Sequence, residues 1–179
     1  MALITEDGTG RADAESYVSL ADASTYAVAH GLTFPITGTD QIPAEQALRR
    51  ATTWIDFAFR GGFAGFRKTL RVQALEWPRR GAYDIHGYLI DESELPRELI
   101  AATVEAAVRE LAKPGSLNPD VIPGQIKKRV SVAGAVDVEY AIGAGTAQEQ
   151  QPMIAVINGI LSPLLVGQRS SLFGEARRT

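Results

Sequence analysis

The sequence predicts a mainly α-helical protein, a small helical bundle with a β-hairpin insertion and an extended C-terminal arm. Three observations carry this prediction. Apolar residues recur at three- and four-residue spacing in stretches that open on Ser19, Pro43 and Pro96 and stop at Gly31, Gly61 and Pro114, the signature of amphipathic helices with their start and stop residues. From Val130 to Tyr140 the period drops to two, with valines alternating against Ser131, Asp137 and Glu139, as in a half-buried strand pair. Beyond residue 142 the chain turns to Gly, Thr and Gln, then to a short apolar segment and a polar, basic end.

The elements follow in order. Residues 1–17 form an extended lead, with Gly8 and Gly10 as turn or hinge signals and Tyr17-Val18 as the first anchor. Helix one starts at Ser19, where Ser19-Leu20-Ala21-Asp22 has capping-box spacing and Val18 and Ala23 stand where a hydrophobic staple would; Gly31 marks its end. Helix two opens near Pro43 and lays Ala44, Ala47, Leu48, Ala51, Trp54, Ile55 and Ala58 on one face, with Glu45 four residues ahead of Arg49 as a supporting ion pair. Phe57 and Phe59 fall off that face. Residues 71–75 are expected to make a short helix. Helix three opens at Pro96, buries Ile100, Val104, Ala107, Val108 and Leu111 on one face and stops at Lys113-Pro114-Gly115. The hairpin is expected at about 128–141 with Gly134 at its turn, and Met153–Val166 as a helix or broken helix interrupted at Pro163. The organisation is therefore a helical domain over 1–142 and a flexible linker and arm over 143–179, the polar tail of which, from Gln168, is expected to be disordered alone.

Composition narrows the function. A chain of 179 residues, 45% hydrophobic and 22% charged, can bury a real core, and its net charge of −3 lacks the basic signature of a protein that coats DNA. It has no cysteine and only two histidines, His30 and His86, so disulfides, thiolate nucleophiles and cysteine metal sites are excluded. The opening residues read as no secretory signal, and no apolar run is long enough to cross a bilayer. No nucleophile elbow, P-loop or zinc-protease motif occurs, and the expectation is a non-enzyme without cofactor or metal. The oxygen and imidazole donors Asp84, His86, Asp91 and Glu94 share one loop, but their spacing does not match an EF-hand.

The richest segment is Trp77–Ile90, where aromatics, arginines, glycines and a proline stand between two helical patterns. It reads as a shaped, surface-presenting loop in which Pro78, Gly81 and Gly87 set the turns. Trp77 is its expected anchor in the core, and Arg79, Arg80, Tyr83 and Tyr88 are candidate contacts to a neighbouring subunit. The alternative reading interleaves Arg67, Lys68, Arg71, Arg79 and Arg80 with Trp77 as a stacking platform, the chemistry that holds single-stranded DNA without sequence preference.

Several segments together resemble a tailed-phage family of head-tail connector adaptors, a group often labelled putative DnaT-like single-stranded DNA-binding protein. They are Leu3-Ile4-Thr5-Glu6-Asp7-Gly8-Thr9-Gly10, Ala12-Asp13-Ala14-Glu15-Ser16-Tyr17-Val18-Ser19, Ala47-Leu48-Arg49-Arg50-Ala51-Thr52, and Gln73-Ala74-Leu75-Glu76-Trp77-Pro78-Arg79 followed by Gly87-Tyr88. The resemblance implies a structural protein of the virion, assembled from the host cytoplasm into a homo-oligomeric, twelvefold ring at the head-tail junction. Its partners would be other copies of itself, the portal protein, and a tail-side connector or tail-terminator protein. Packaged DNA would pass through the lumen without specific binding, and no membrane is involved. The C-terminal arm would dock on the portal, with Leu164, Leu165, Leu172, Phe173, Arg177 and Arg178 as candidate contacts.

Overall fold

The computed structural model describes residues 2–35, 38–118 and 154–166, together with the backbone of two strands at 127–132 and 136–140. Its elements are α1 (Leu20–Ala29), α2 (Gln41–Phe59), β1 (Phe66–Arg67), β2 (Arg79–Arg80), α3 (Arg97–Ala112), β3 (Lys127–Val132), β4 (Val136–Tyr140) and α4 (Ala155–Leu161), with single 3-10 turns at Gly38–Asp40 and Ser162–Leu164. The predicted helical bundle with a hairpin is the observed architecture.

Local signals explain the helix ends. The Ser19 hydroxyl accepts from the Asp22 N–H at 3.1 Å and so caps α1, while Val18 and Ala23 are both buried beside it. At the other end the Leu32 N–H reaches the Ala27 carbonyl at 2.8 Å and the Gly31 N–H reaches that of Val28 at 3.1 Å. This pair of bonds is a Schellman closure, and Gly31 supplies its left-handed residue at φ 69°. The C-terminus of α3 is closed differently. Glu110, buried, accepts from the Gly115 N–H at 2.7 Å and the Leu117 N–H at 3.3 Å and pairs with Arg50 at 2.7 Å. Burial opposes its charge, but these donors outweigh burial and hold its carboxyl below the ordinary range.

Helix α3 is the centre of the bundle, packed by α2, α4 and α1. The face expected to be buried, Ile100, Val104, Ala107, Val108 and Leu111, is only part of what is covered. Leu99, Ala102, Thr103 and Ala106 on other sides are fully buried, whereas Ile100, Val108 and Leu111 are half-buried. A helix with partners on several sides does not show a single apolar stripe. Ala44, Ala47 and Ala51 of α2 and Ala102 and Ala106 of α3 are all fully buried, and small side chains favour close packing of helices. On α2 the expected face holds as far as Ile55; Ala58 is exposed.

Two expectations are corrected. Residues 71–75 are turn and bend, not helix: the flanking strands β1 and β2 pair antiparallel, Phe66 with Arg80 and Arg67 with Arg79, and the chain between them folds around the buried Gln73 side chain. Gln73 donates to the Leu75 and Pro78 carbonyls at 2.8 and 3.0 Å, bonds that a helix would not offer. Residues 154–166, assigned by sequence to the arm, pack into the core. Ile157 and Leu161 are fully buried, Leu165 bridges Phe63, and the Val166 N–H donates to the Gly62 carbonyl at 2.6 Å.

The hairpin β3–β4 is antiparallel with Val132 opposite Val136 and an irregularity between Lys127 and Arg129. Its turn at Gly134, the expected linker at 143–151 and the tail at 168–179 lie outside the described residues.

Candidate interface around the Trp77 loop

The loop is built from the inside outward, and Trp77 is its root. The indole is fully buried and meets the Phe63 ring edge-on, centroids 5.7 Å apart. Its backbone N–H donates to the Tyr17 hydroxyl at 3.2 Å, and the neighbouring Glu76 N–H donates to that hydroxyl at 3.0 Å and to Asp56 Oδ2 at 3.1 Å. The Tyr17 hydroxyl in turn donates to Asp56 Oδ1. The N-terminal segment, α2 and the loop are thereby joined at one buried cluster. Burial pushes the Asp56 carboxyl up to about 6, although the bonds from Tyr17 and Glu76 favour its charged form. Burial and the adjacent Asp56 together push the Tyr17 phenol well above its ordinary value.

Arg79, expected to face a neighbour, points inward. Its guanidinium donates to the Ala64 carbonyl at 2.7 Å, the Gly65 carbonyl at 2.8 Å and the Glu76 carbonyl and carboxylate at 3.1 and 2.9 Å. A planar fork of donors suits such a cradle of fixed acceptors. The residue is buried and serves as an internal clamp between residues 63–65 and the loop.

The other cations divide. Arg67 and Lys68 are half-buried, and each donates to a backbone carbonyl, Arg67 to Gln73 at 3.3 Å and Lys68 to Gly8 at 3.0 Å. Arg71 and Arg80 are exposed. Trp77, expected as a stacking platform, is inaccessible, and of the expected cationic set only Arg71 and Arg80 are exposed.

Lys68 leads to a second buttress. The Glu6 carboxylate, buried, accepts from the backbone N–H groups of Asp7, Gly8, Gly10 and Arg11 at 2.9–3.1 Å. The expected hinge at Gly8 and Gly10 is instead a closed loop fastened to the Trp77 region, with Thr69 donating to the Gly10 carbonyl and Ala74 to that of Arg11. Gly8 adopts φ 89° with the Ser93 carbonyl oxygen 2.1 Å from where a Cβ would stand, so no larger residue fits there.

On this frame the chain displays an apolar surface. Residues 82–90 form a tight finger: Tyr83 bridges Leu89, the Ile90 N–H donates to the Ala82 carbonyl at 2.9 Å, and Asp84 Oδ1 accepts from the His86 and Tyr88 N–H groups at 2.8 and 2.9 Å. Gly81 and Gly87 have the positive φ expected of them. The Ile85 N–H donates to the Pro163 carbonyl at 2.9 Å and holds the finger against the end of α4. Tyr83, Ile85, Tyr88 and Leu89 all project into solvent, Tyr88 at 72% and Leu89 at 76% exposure. Phe66 at 75%, with Leu70 and Val72, extends the exposed apolar set across the β1–β2 turn. Exposed apolar side chains gathered on one segment make this a candidate interaction surface.

Of the expected subunit contacts, Arg80, Tyr83 and Tyr88 are therefore displayed, and Trp77 and Arg79 lie beneath them as supports. Of the expected docking contacts, Leu164 and Leu165 are buried at 3% and 6% and are not available to a partner. Leu172, Phe173, Arg177 and Arg178 lie outside the described residues. Sequence reasoning missed Leu70, Val72, Ile85 and Leu89. Their signal was present: large apolar residues in turn-rich stretches where no helical or strand period could absorb them.

A family model described as "Putative DnaT-like ssDNA binding protein" matches residues 1–179, the whole chain. No curated protein and no solved structure matches it.

Proposed function

Since the chain belongs to this DnaT-like family, whose description names single-stranded DNA, and yet buries Trp77 and Arg79 beneath a finger of exposed apolar side chains, we propose that it is a structural assembly protein. In this reading it is the head-tail adaptor of a tailed bacteriophage, forming a ring below the portal and joining the capsid to the tail. The observation that carries it is the preformed finger of Tyr83, Ile85, Tyr88 and Leu89 standing on a buried Trp77–Arg79 root. A rigid apolar projection loses little entropy on docking, which suits a permanent protein contact. A net charge of −3 suits a ring that lets packaged DNA pass, since phosphate contacts would retard it. The motifs of the N-terminal segment, α2 and the Trp77 loop support the phage setting through their resemblance to connector adaptors.

The test is the mass of the purified chain, alone across a range of concentrations and mixed with portal rings, by light scattering and native mass spectrometry. A closed oligomer, alone or on the portal, is expected; a chain that stays monomeric in both settings refutes the assembly role.

The family description favours a second reading, single-stranded DNA binding. The residues that could serve it are the cross-strand pair Phe66 and Arg80, both exposed, with Arg71 nearby in sequence. It predicts salt-dependent binding of a labelled oligonucleotide that Phe66→Ala weakens. Absence of binding at low salt excludes it.

A further inference from the structure

Strands β3 and β4 form a sheet of two, and among the described residues no further strand lies on either outer edge. Among the described elements, each strand has its extensive contact with the other alone. A pair of strands by itself is marginally stable in water, and an open edge is a row of N–H and C=O groups able to take another strand.

The charges are divided by strand. β3 carries Lys127, Lys128 and Arg129 and no carboxylate, whereas β4 carries Asp137 and Glu139 and no lysine or arginine. The register sets Arg129 opposite Glu139 and Ser131 opposite Asp137, and at the alternate positions Val130 opposite Val138 and Val132 opposite Val136. Successive residues of a strand belong to opposite faces, so one face of the pair is a set of valines and the other is charged. A strand inside a sheet has a neighbour on both sides, and each of these has one. Opposite charges set across from each other stabilise a strand pair, and like charges destabilise it.

We infer that the outer edge of β3 in one copy pairs antiparallel with the outer edge of β4 in the next, so that the strand completing each hairpin comes from a second copy of this chain. In the resulting order β3, β4, β3, β4, basic strands alternate with acidic ones. Where the register between copies repeats that within each copy, Arg129 gains a second carboxylate neighbour, Glu139 gains a second cation, and valine stands beside valine on the other face. Pairing β3 with β3, or β4 with β4, gathers charges of one sign along the shared edge instead. Joining unlike edges leaves one edge of each kind open for a further copy, a heterologous contact that closes into a ring when the rotation between subunits allows. The inference rests on the self-assembly reading and names the edges through which copies join.

The chain has no cysteine, so thiols introduced by substitution are unique. Ser131→Cys on β3 and Asp137→Cys on β4 are made separately in full-length chains of distinguishable mass; each chain then carries one thiol, and any link joins two copies. The two variants are mixed, with and without portal rings, and treated with a short bis-maleimide. A dimer linked from position 131 to position 137 is expected to exceed either homodimer at least about fivefold. By native mass, Asp137→Lys with Glu139→Lys should lose assembly, and adding Lys127→Glu, Lys128→Glu and Arg129→Glu, which exchanges the signs of the two strands, should restore it. Circular dichroism checks that the helical body of each variant is folded. If the parent chain assembles but positions 131 and 137 do not link, or the exchanged chain does not recover, the inference fails while the assembly role stands. Predominant linking of position 131 to itself means that like edges pair and overturns the inference. If the chain does not assemble at all, alone or on portal rings, both fail. Protection of the thiol at position 131 by a dT oligonucleotide, with no linking between copies, assigns the basic strand to nucleic acid and also overturns the inference.

Discussion

Trp77→Ala separates an anchor from a ligand platform. The indole is fully buried against Phe63, with the Tyr17–Asp56 cluster bonded to its backbone. A buried tryptophan covers about 150–250 Å², which at about 25 cal/mol per Å² corresponds to roughly 4–6 kcal/mol of transfer free energy as an upper bound. Measured truncations of buried Phe or Trp to Ala cost about 3–5 kcal/mol. Against a total stability of about 5–15 kcal/mol for a domain, that is a large fraction. For a chain of this size it lowers Tm by on the order of 10 °C. Trp77→Phe should cost much less, because the ring still fills most of the space and the indole Nε1, buried with no hydrogen-bond partner among the described residues, is removed. Urea unfolding followed by circular dichroism, with Trp54 as a separate fluorescence probe, measures both. A Trp77→Ala protein within about 1 kcal/mol of the parent that had nevertheless lost oligonucleotide affinity would refute the anchoring argument.

Four further outcomes are expected. The Asp56 carboxyl is raised from 3.8 to about 6 in the fold, so the folded state holds its proton over a range where the unfolded chain has lost it. Stability therefore falls as pH rises from about 4 through about 6, by on the order of 2–3 kcal/mol, and Asp56→Asn should flatten that slope in urea titrations at several pH values. Arg79→Lys loses the fork that spans the Ala64, Gly65 and Glu76 carbonyls and should cost about 1–3 kcal/mol in chemical unfolding without changing oligonucleotide binding. Gly8→Ala meets the Ser93 carbonyl and should destabilise well beyond Gly31→Ala, which has open space and suffers only the roughly 1–2 kcal/mol of a left-handed alanine; thermal melts of the pair decide it. Deleting residues 168–179 should leave the Tm of the core unchanged, since Ile157, Leu161, Leu164 and Leu165 all remain, while portal binding measured by co-sedimentation is lost.

Much of the helical frame was legible because its signals are local. Ser19, Asp22 and Gly31 bound α1 through bonds that reach only a few residues along the chain, and Pro96 and Lys113 stand at the two ends of α3. The hairpin declared itself by alternation, and the observed strands at 127–132 and 136–140 lie within a residue or so of the expected span. The segment from Phe63 to Leu75 was not legible. Its short strands pair across twelve or more residues, and its organising side chain, Gln73, is polar and gives no periodic signal. The fate of each arginine was equally hidden: Arg79 and Arg80 are adjacent, yet one is buried among carbonyls 14–16 residues away and the other is in solvent.

By itself, then, the sequence determined where helices begin and end, that Trp77 roots a shaped loop, and that Tyr83 and Tyr88 are offered outward, because caps, periods and turn residues act over a few peptide units. Only the tertiary structure decided which side chains fill the space between elements. It turned Arg79 inward, drew Leu164 and Leu165 from an expected arm into the core, and left Tyr83, Ile85, Tyr88 and Leu89 of the finger exposed. Those outcomes depend on which carbonyls and rings stand within a few ångströms once the chain has folded, a quantity that no local pattern encodes.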